Sequence, residues 1–181
     1  MRVLLVSYYF LPNGGPAAAR AQSIARDLAE HCQLTVVTAS PVPKIDTREF
    51  EVVSVGRDVS RASKLSQVMR FVLFAWAVIR RANRLKADTV VVTSSRLGSA
   101  VLGLCLAKFY GARFVVDFRD LFPAFLRAVY GRRVALLLPV LRYLESIVVR
   151  RADQITVTSG GYIEYLADRY ELEREPMFIP H

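Results

Sequence analysis

This sequence of 181 residues holds only two cysteines, Cys32 and Cys105, and two histidines, His31 and His181, with no CxxC pair and no Cys/His cluster. That excludes a disulfide framework and a zinc site of the usual ligand spacing, and leaves two thiols suited to a reducing cytosol. No glycines fall in the GxGxxG spacing, which argues against a dinucleotide-binding enzyme. Long apolar runs are missing too: Phe71 to Ile79 and Leu97 to Ala107 are the most apolar stretches, well short of the roughly 18 to 20 residues that a membrane span needs. Val3 to Leu11 followed by Ala17-Ala18-Ala19 has the outline of a secretion signal, but Arg2 alone supplies its basic region. Acidic residues are scarce, 16 against 25 Lys and Arg, a net charge of +9. Neither an internal repeat nor a low-complexity tract is present, and a hydrophobic fraction of 53% is too high for a disordered chain.

What remains is a regular alternation. Arg2 to Ser7 is a nearly continuous apolar run, as expected of a parallel strand covered on both faces. A turn-rich loop, Tyr8 to Pro16, leads into a helix over Ala17 to His31, with Pro16 suited to its first position. Strands are predicted at Leu34 to Thr38, Phe50 to Val55, Thr89 to Thr93, Arg113 to Phe118, Gln154 to Thr158 and Met177 to Ile179. Between them fall helical patterns over Ser60 to Lys86, over Leu97 to Tyr110 closed by Gly111, over Arg133 to Arg151 with Pro139 starting or kinking it, and over Gly161 to Tyr170. In Ser60 to Lys86 the apolar spacing runs through Leu65, Val68, Met69, Val72 and Trp76. The expected architecture is one α/β domain over residues 1–181: a single doubly wound, mostly parallel Rossmann-like sheet with helices on both faces.

In such sheets ligands bind beyond the carboxyl ends of the strands, where loops diverge and helix N-termini point. Gly14-Gly15 lies before a helix, so its N–H groups can approach an anion without Cβ obstruction, or it is simply a flexible turn. Arg20, one turn further, either reaches a phosphate or is a solvated helix residue. The segment Asp117-Phe118-Arg119-Asp120-Leu121-Phe122-Pro123 places two carboxylates and a guanidinium at a strand end, and such charges pair with each other, cap a helix or serve a ligand. Ser94, Ser95 and Ser159 are strand-end hydroxyls suited to helix N-capping, and His31 to a surface position.

The basic excess is concentrated. Arg57, Arg61, Lys64, Arg70, Arg80, Arg81, Arg84 and Lys86 face one acid, Asp58, and bracket the apolar Phe71 to Trp76. A helix with basic ends and an aromatic centre either lies on an anionic membrane surface or anionic lipid-linked substrate, or is a core helix with solvated ends. Nucleic acid is not expected, since no binding motif accompanies the charge.

Three stretches together carry a family resemblance: Val3-Leu4-Leu5-Val6-Ser7-Tyr8-Tyr9-Phe10-Leu11-Pro12, then Gly14-Gly15-Pro16-Ala17 with Arg20, then Leu34 to Thr38. They resemble the start of family 4 glycosyltransferases. Asp117 to Pro123 is similar to the "RDLWP" segment of a branch that builds bacterial cell-surface polysaccharides, with Phe122 in place of Trp and Ala124 where an acidic residue is usual. Glu145, Arg151-Ala152-Asp153, Thr158-Ser159 and the terminal Phe178-Ile179-Pro180 resemble the segments that follow, so the likeness spans essentially the whole chain.

The resemblance implies the N-terminal, acceptor-side half of a two-domain GT-B enzyme, with retaining transfer and no bound catalytic metal or cofactor. A nucleotide-sugar would be co-substrate, shared with a C-terminal donor-binding domain or separate subunit. Gly14 and Gly15 would touch the donor diphosphate with help from Arg20, and Arg119 and Asp120 would face the acceptor or the transferred sugar. Ser94, Ser95, Asp117 and Ser159 complete the expected site. The acceptor would be a glycan or lipid-linked molecule, the location cytoplasmic or peripheral on the inner face of the membrane, and the half alone inactive. A standalone sugar- or nucleotide-binding module is the competing expectation.

Overall fold

A computed structural model describes residues 1–11, 15–41, 49–55, 64–94, 96–172 and 174–180. Seven strands form one sheet: β1 (Arg2–Ser7), β2 (Gln33–Thr38), β3 (Glu51–Ser54), β4 (Thr89–Ser94), β5 (Arg113–Phe118), β6 (Gln154–Val157) and β7 (Met177–Phe178). Their order is β3-β2-β1-β4-β5-β6-β7, with every pairing parallel. Central β4 is buried along its whole length, which accounts for the unbroken apolar reading of Val90-Val91-Val92.

Side-chain alternation splits the core. Val3, Leu5, Leu34, Val36 and Val91 pack with Ala21 and Ala25 of α1 (Pro16–Ala29) on one face. Leu4, Val6, Val37, Val92, Val116 and Val157 face the other layer. That layer consists of α2 (Lys64–Arg81), α3 (Leu97–Tyr110), α4 (Phe122–Tyr130), α5 (Leu138–Arg151) and α6 (Gly160–Arg169). The arrangement follows from right-handed crossovers: the chain steps one way from β1 through β3, then returns past β1 to build β4 to β7.

Local chemistry sets several boundaries. Pro16 opens α1, and Gly111 (φ +62°) ends α3, where the N–H groups of Ala112 and Gly111 donate to the carbonyls of Ala107 and Lys108. Pro139 falls in the first turn of α5, so the helix starts there instead of at Arg133 and is not kinked. Gly98 and Gly103 allow α3 to approach its neighbours, since a Cβ on Gly98 would stand 2.7 Å from Phe71 and one on Gly103 would overlap Val92.

Two features go beyond the sequence reading. The α2 spacing through Val68, Met69, Val72 and Trp76 marks the outer face, where all four are exposed together with Leu73 and Ile79; the core face is Phe74 and Val78, with Phe71 beside them. An amphipathic reading identifies one stripe, but α2 is apolar on both sides. Helix α4 was not expected, because its first residues belong to the charged segment read as a strand-end loop; Pro123 sits in its first turn.

Candidate functional site

The order of the strands reverses between neighbours β1 and β4, and the carboxyl ends at such a switch point are the place where open α/β sheets take ligands. Here the Ser7 and Thr93 hydroxyls meet at 3.0 Å, and Ser7 Oγ lies 2.7 Å from the Tyr9 carbonyl. The loop after β1 thus starts in a fixed direction. Gly15 follows at the N-cap of α1 with φ +127° and ψ 158°, a conformation essentially reserved for glycine. Gly14 and Ser95 lie outside the described residues, as do Arg57, Asp58 and Arg61 of the basic stretch.

Arg20 and Asp117, both expected at the ligand, are joined to each other. Arg20 Nε and Nη2 donate to Asp117 Oδ2 and Oδ1 at 2.9 and 2.7 Å, and both side chains are almost wholly buried. Thr156 Oγ1 donates to Asp117 Oδ1 at 2.8 Å, and Arg20 Nη1 to the carbonyl of Pro180 at 3.1 Å. Arg20 is thus not a solvated helix residue, and its guanidinium ties α1 to β5 and to the segment after β7. Two buried charges are tolerated because each satisfies the other in a forked geometry.

Arg119 and Asp120 follow β5. The Arg119 N–H donates to the Ser94 carbonyl at 3.4 Å, holding this turn beside the end of β4, and Asp120 is exposed. Helix α4 begins at once with Leu121 at its N-cap and no side-chain capping bond, so Asp120 does not cap it. The Ser94 and Ser159 hydroxyls do not cap either. Arg96, not Ser94, stands at the N-cap of α3, and Ser94 Oγ donates to the Arg96 carbonyl at 3.2 Å. Ser159 does occupy the N-cap of α6, with its side chain unused in capping and exposed.

Sequence reasoning passed over Arg96 as a site residue. Its Nη2 donates to Tyr9 Oη at 2.8 Å and to Gln67 Oε1 at 3.1 Å, and its guanidinium lies 5.1 and 5.7 Å from the ring centres of Tyr8 and Tyr9. Tyr8 is buried, and burial raises its phenol pKa, against the nearby charges of Arg96 and Arg70. The only hint in the sequence was the pair Tyr8-Tyr9 in one strand-end loop and an arginine in another.

Among the described residues no three His, Cys, Asp or Glu side chains stand close enough to hold a metal ion. A cavity of about 450 Å³ lies at the opposite edge of the sheet, where Arg81, Arg84 and Lys86 line it with Arg2 and Glu51. No described helix is long and apolar enough to cross a membrane.

Sheet order, two-sided helix packing and the switch point between β1 and β4 define a Rossmann-like α/β domain. The chain belongs to the glycosyl transferase 4-like domain family, whose model matches residues 14–180. No curated protein matches the sequence significantly. Among solved structures it is similar to sucrose-phosphate synthase from Thermosynechococcus elongatus, with TM-score 0.71 and 14% identity over 99% of this chain and 47% of that one. Anabaena Alr3699/HepE in complex with UDP-glucose gives TM-score 0.63 and 14% identity over 99% and 43% of the two chains. UDP-N-acetylglucosamine 2-epimerase from Rickettsia bellii gives 0.60 and 14% over 98% and 44%. The chain therefore spans less than half the length of these structures, and the likeness is one of fold, that of one half of a GT-B enzyme.

Proposed function

We propose that this chain is the acceptor-side, N-terminal half of a retaining glycosyltransferase. It would move a sugar from a nucleotide-sugar to a glycan or lipid-linked acceptor in bacterial cell-surface polysaccharide synthesis. The observation that carries the reading is the switch in strand order where β1 meets β4, in a chain that belongs to the glycosyl transferase 4-like domain family. Transfer needs leaving-group charge stabilised and an acceptor hydroxyl held against the anomeric carbon. Gly15, at the N-cap of α1, suits the first task together with Gly14 before it in the sequence, since backbone N–H groups and the helix dipole favour a diphosphate. Arg119 and Asp120, at the end of β5, suit the second, with Ser94 and Ser159 at neighbouring strand ends and Ser95 next to Ser94 in the sequence. The buried Arg20–Asp117 pair supports these loops from below.

The grip on the nucleotide-sugar would come from a second domain or subunit, and the chemistry would use no metal. The outer face of α2, apolar with basic residues at its end, would seat the enzyme on the anionic inner face of the cytoplasmic membrane. The decisive assay measures nucleoside diphosphate release from nucleotide-sugars by this chain with and without a donor-binding half. Release only from the joined halves is expected. Enzyme-like turnover by the chain alone would overturn the half-enzyme reading, and a tight nucleotide-sugar complex without turnover in either form would identify a binding module instead.

A further inference from the structure

The cavity at the amino-terminal edge of the sheet is polar where the fold calls for apolar side chains. Register sets Arg2 beside Gln33, and Leu4 beside Thr35 and Thr35 beside Glu51, so these residues share the face that Leu4 and Val37 turn towards the α2 layer. A parallel strand covered by helices is apolar throughout, and on β2 Thr35 interrupts the run from Leu34 to Val37. Above it lies an open space of about 450 Å³ instead of a packed side chain. The wall of that space is the end of α2 and the turn after it, with Arg81, Arg84 and Lys86.

The charges around it are unevenly matched. Arg2 is paired with Asp88 at 2.8 Å. Arg81, Arg84 and Lys86 form no ion pair with a carboxylate among the described residues, not even with Glu51, which lines the same cavity. Arg81 Nη1 donates only along its own helix, to the Ala77 carbonyl at 3.4 Å. Basic residues in a last helical turn offset the helix dipole, but that effect fades within the turn, and Arg84 and Lys86 lie past the end of α2. Three cations and one carboxylate around a concave space suit a ligand that is anionic at one end and carries hydroxyls at the other. Guanidinium and ammonium groups take phosphate oxygens; a carboxylate accepts from hydroxyls, and the Thr35 hydroxyl and Gln33 amide can donate or accept. No aromatic ring lines the cavity among the described residues, so nothing there stacks a nucleobase.

We infer that this cavity is a second ligand site, for a small phosphorylated sugar, with the phosphate on Arg81, Arg84 and Lys86 and the sugar hydroxyls on Glu51, Thr35 and Gln33. It lies at the strand starts, the length of the sheet away from the switch point, and does not depend on the transferase reading.

The test is calorimetric titration of the 181-residue chain, at fixed ionic strength, with glucose 6-phosphate, inorganic phosphate and adenosine 5′-monophosphate. Glucose 6-phosphate is expected to bind at least about fivefold more tightly than inorganic phosphate, through the added hydroxyl contacts. Arg84→Gln should weaken both by about fivefold or more, as loss of charge-assisted hydrogen bonds does at an exposed position. Arg26→Gln, which removes the same charge from the last turn of α1 on the other face of the sheet, should change neither. Glu51→Ala should narrow the gap between the two probes, since its carboxylate meets only the sugar. Wild-type binding of glucose 6-phosphate weaker than about 1 mM would overturn the site, as would unchanged binding by Arg84→Gln or an equal loss in Arg26→Gln. Equal affinity for glucose 6-phosphate and inorganic phosphate, tighter binding of the nucleotide, or a gap that Glu51→Ala leaves intact would overturn the assignment to a phosphorylated sugar. Should Arg84→Gln lose its circular dichroism, protection of wild-type Arg84 from an arginine-specific dicarbonyl by glucose 6-phosphate, read by mass spectrometry, decides the location without a variant; equal labelling with and without the probe would refute the inference.

Discussion

The Arg20 guanidinium and the Asp117 carboxylate, 97 positions apart in sequence, meet through two hydrogen bonds in the interior beneath the β1, β5 and β7 strand ends. Removing one partner leaves the other charge buried and uncompensated, which typically costs about 3 to 5 kcal/mol. Arg20→Ala and Asp117→Asn are each expected to lower Tm by on the order of 10 °C in a chain of this size. Arg20→Lys should fall in between, since an ammonium cannot reproduce the fork. Thermal melts of the three variants check this.

Arg119 and Asp120 contrast with that pair. Arg119→Ala or Asp120→Asn should lower transfer by the joined enzyme at least about tenfold while Tm stays within about 3 °C. A collapse in Tm with transfer per folded molecule unchanged would mark these residues as framework.

Glycines offer a comparison at constant chemistry. Gly103→Ala drives a methyl group into Val92 beneath α3 and should cost about 1 to 3 kcal/mol by overpacking. Gly15→Ala meets no atom within 4 Å but must adopt φ +127°, a strain of about 1 to 3 kcal/mol. Gly160→Ala, in open space at the start of α6, should be neutral or stabilising by up to about 1 kcal/mol. Urea titrations should place Gly103→Ala and Gly15→Ala below wild type and Gly160→Ala alone at or above it.

Glu145 gives the fold a pH dependence. It is fully buried on α5 and accepts a 2.6 Å hydrogen bond from Tyr170. Burial pushes its carboxyl pKa up, against hydrogen bonds from Tyr170 and Tyr165 and the charges of Arg169 and Arg142. A raised pKa means the folded state holds this proton more tightly than the unfolded chain, so the contribution is greatest below the unfolded carboxylate pKa and is lost as pH rises through the folded one. Glu145→Gln stays neutral and can still accept from Tyr170, so its Tm relative to wild type should increase from pH 4 to pH 7. A constant difference across that range would refute the assignment.

The single tryptophan, Trp76, reports on membrane contact because it lies 55% exposed on the outer face of α2, with Arg80 stacked on its ring. Phosphatidylglycerol vesicles should shift its emission to the blue and phosphatidylcholine vesicles should not, and salt should weaken the effect. Identical spectra with both lipids would exclude an anionic membrane as the partner of this face.

The sequence by itself determined the alternation of strands and helices, the parallel sheet and the places where loops could meet ligand. These follow from local signals: apolar runs such as Thr89 to Thr93, Pro16 at a helix start, Gly111 at a helix end. Helix α4 was hidden because its charged preamble read as a loop, and the inward side of α2 was hidden because both its faces are apolar. Only the tertiary structure decided which distant charges meet. Arg20 finds Asp117, and Arg96 finds Tyr9 and Gln67, because the sheet order sets β1 between β2 and β4 and brings their loops together. Pairing across many tens of residues depends on strand order and crossover hand, which no local pattern encodes.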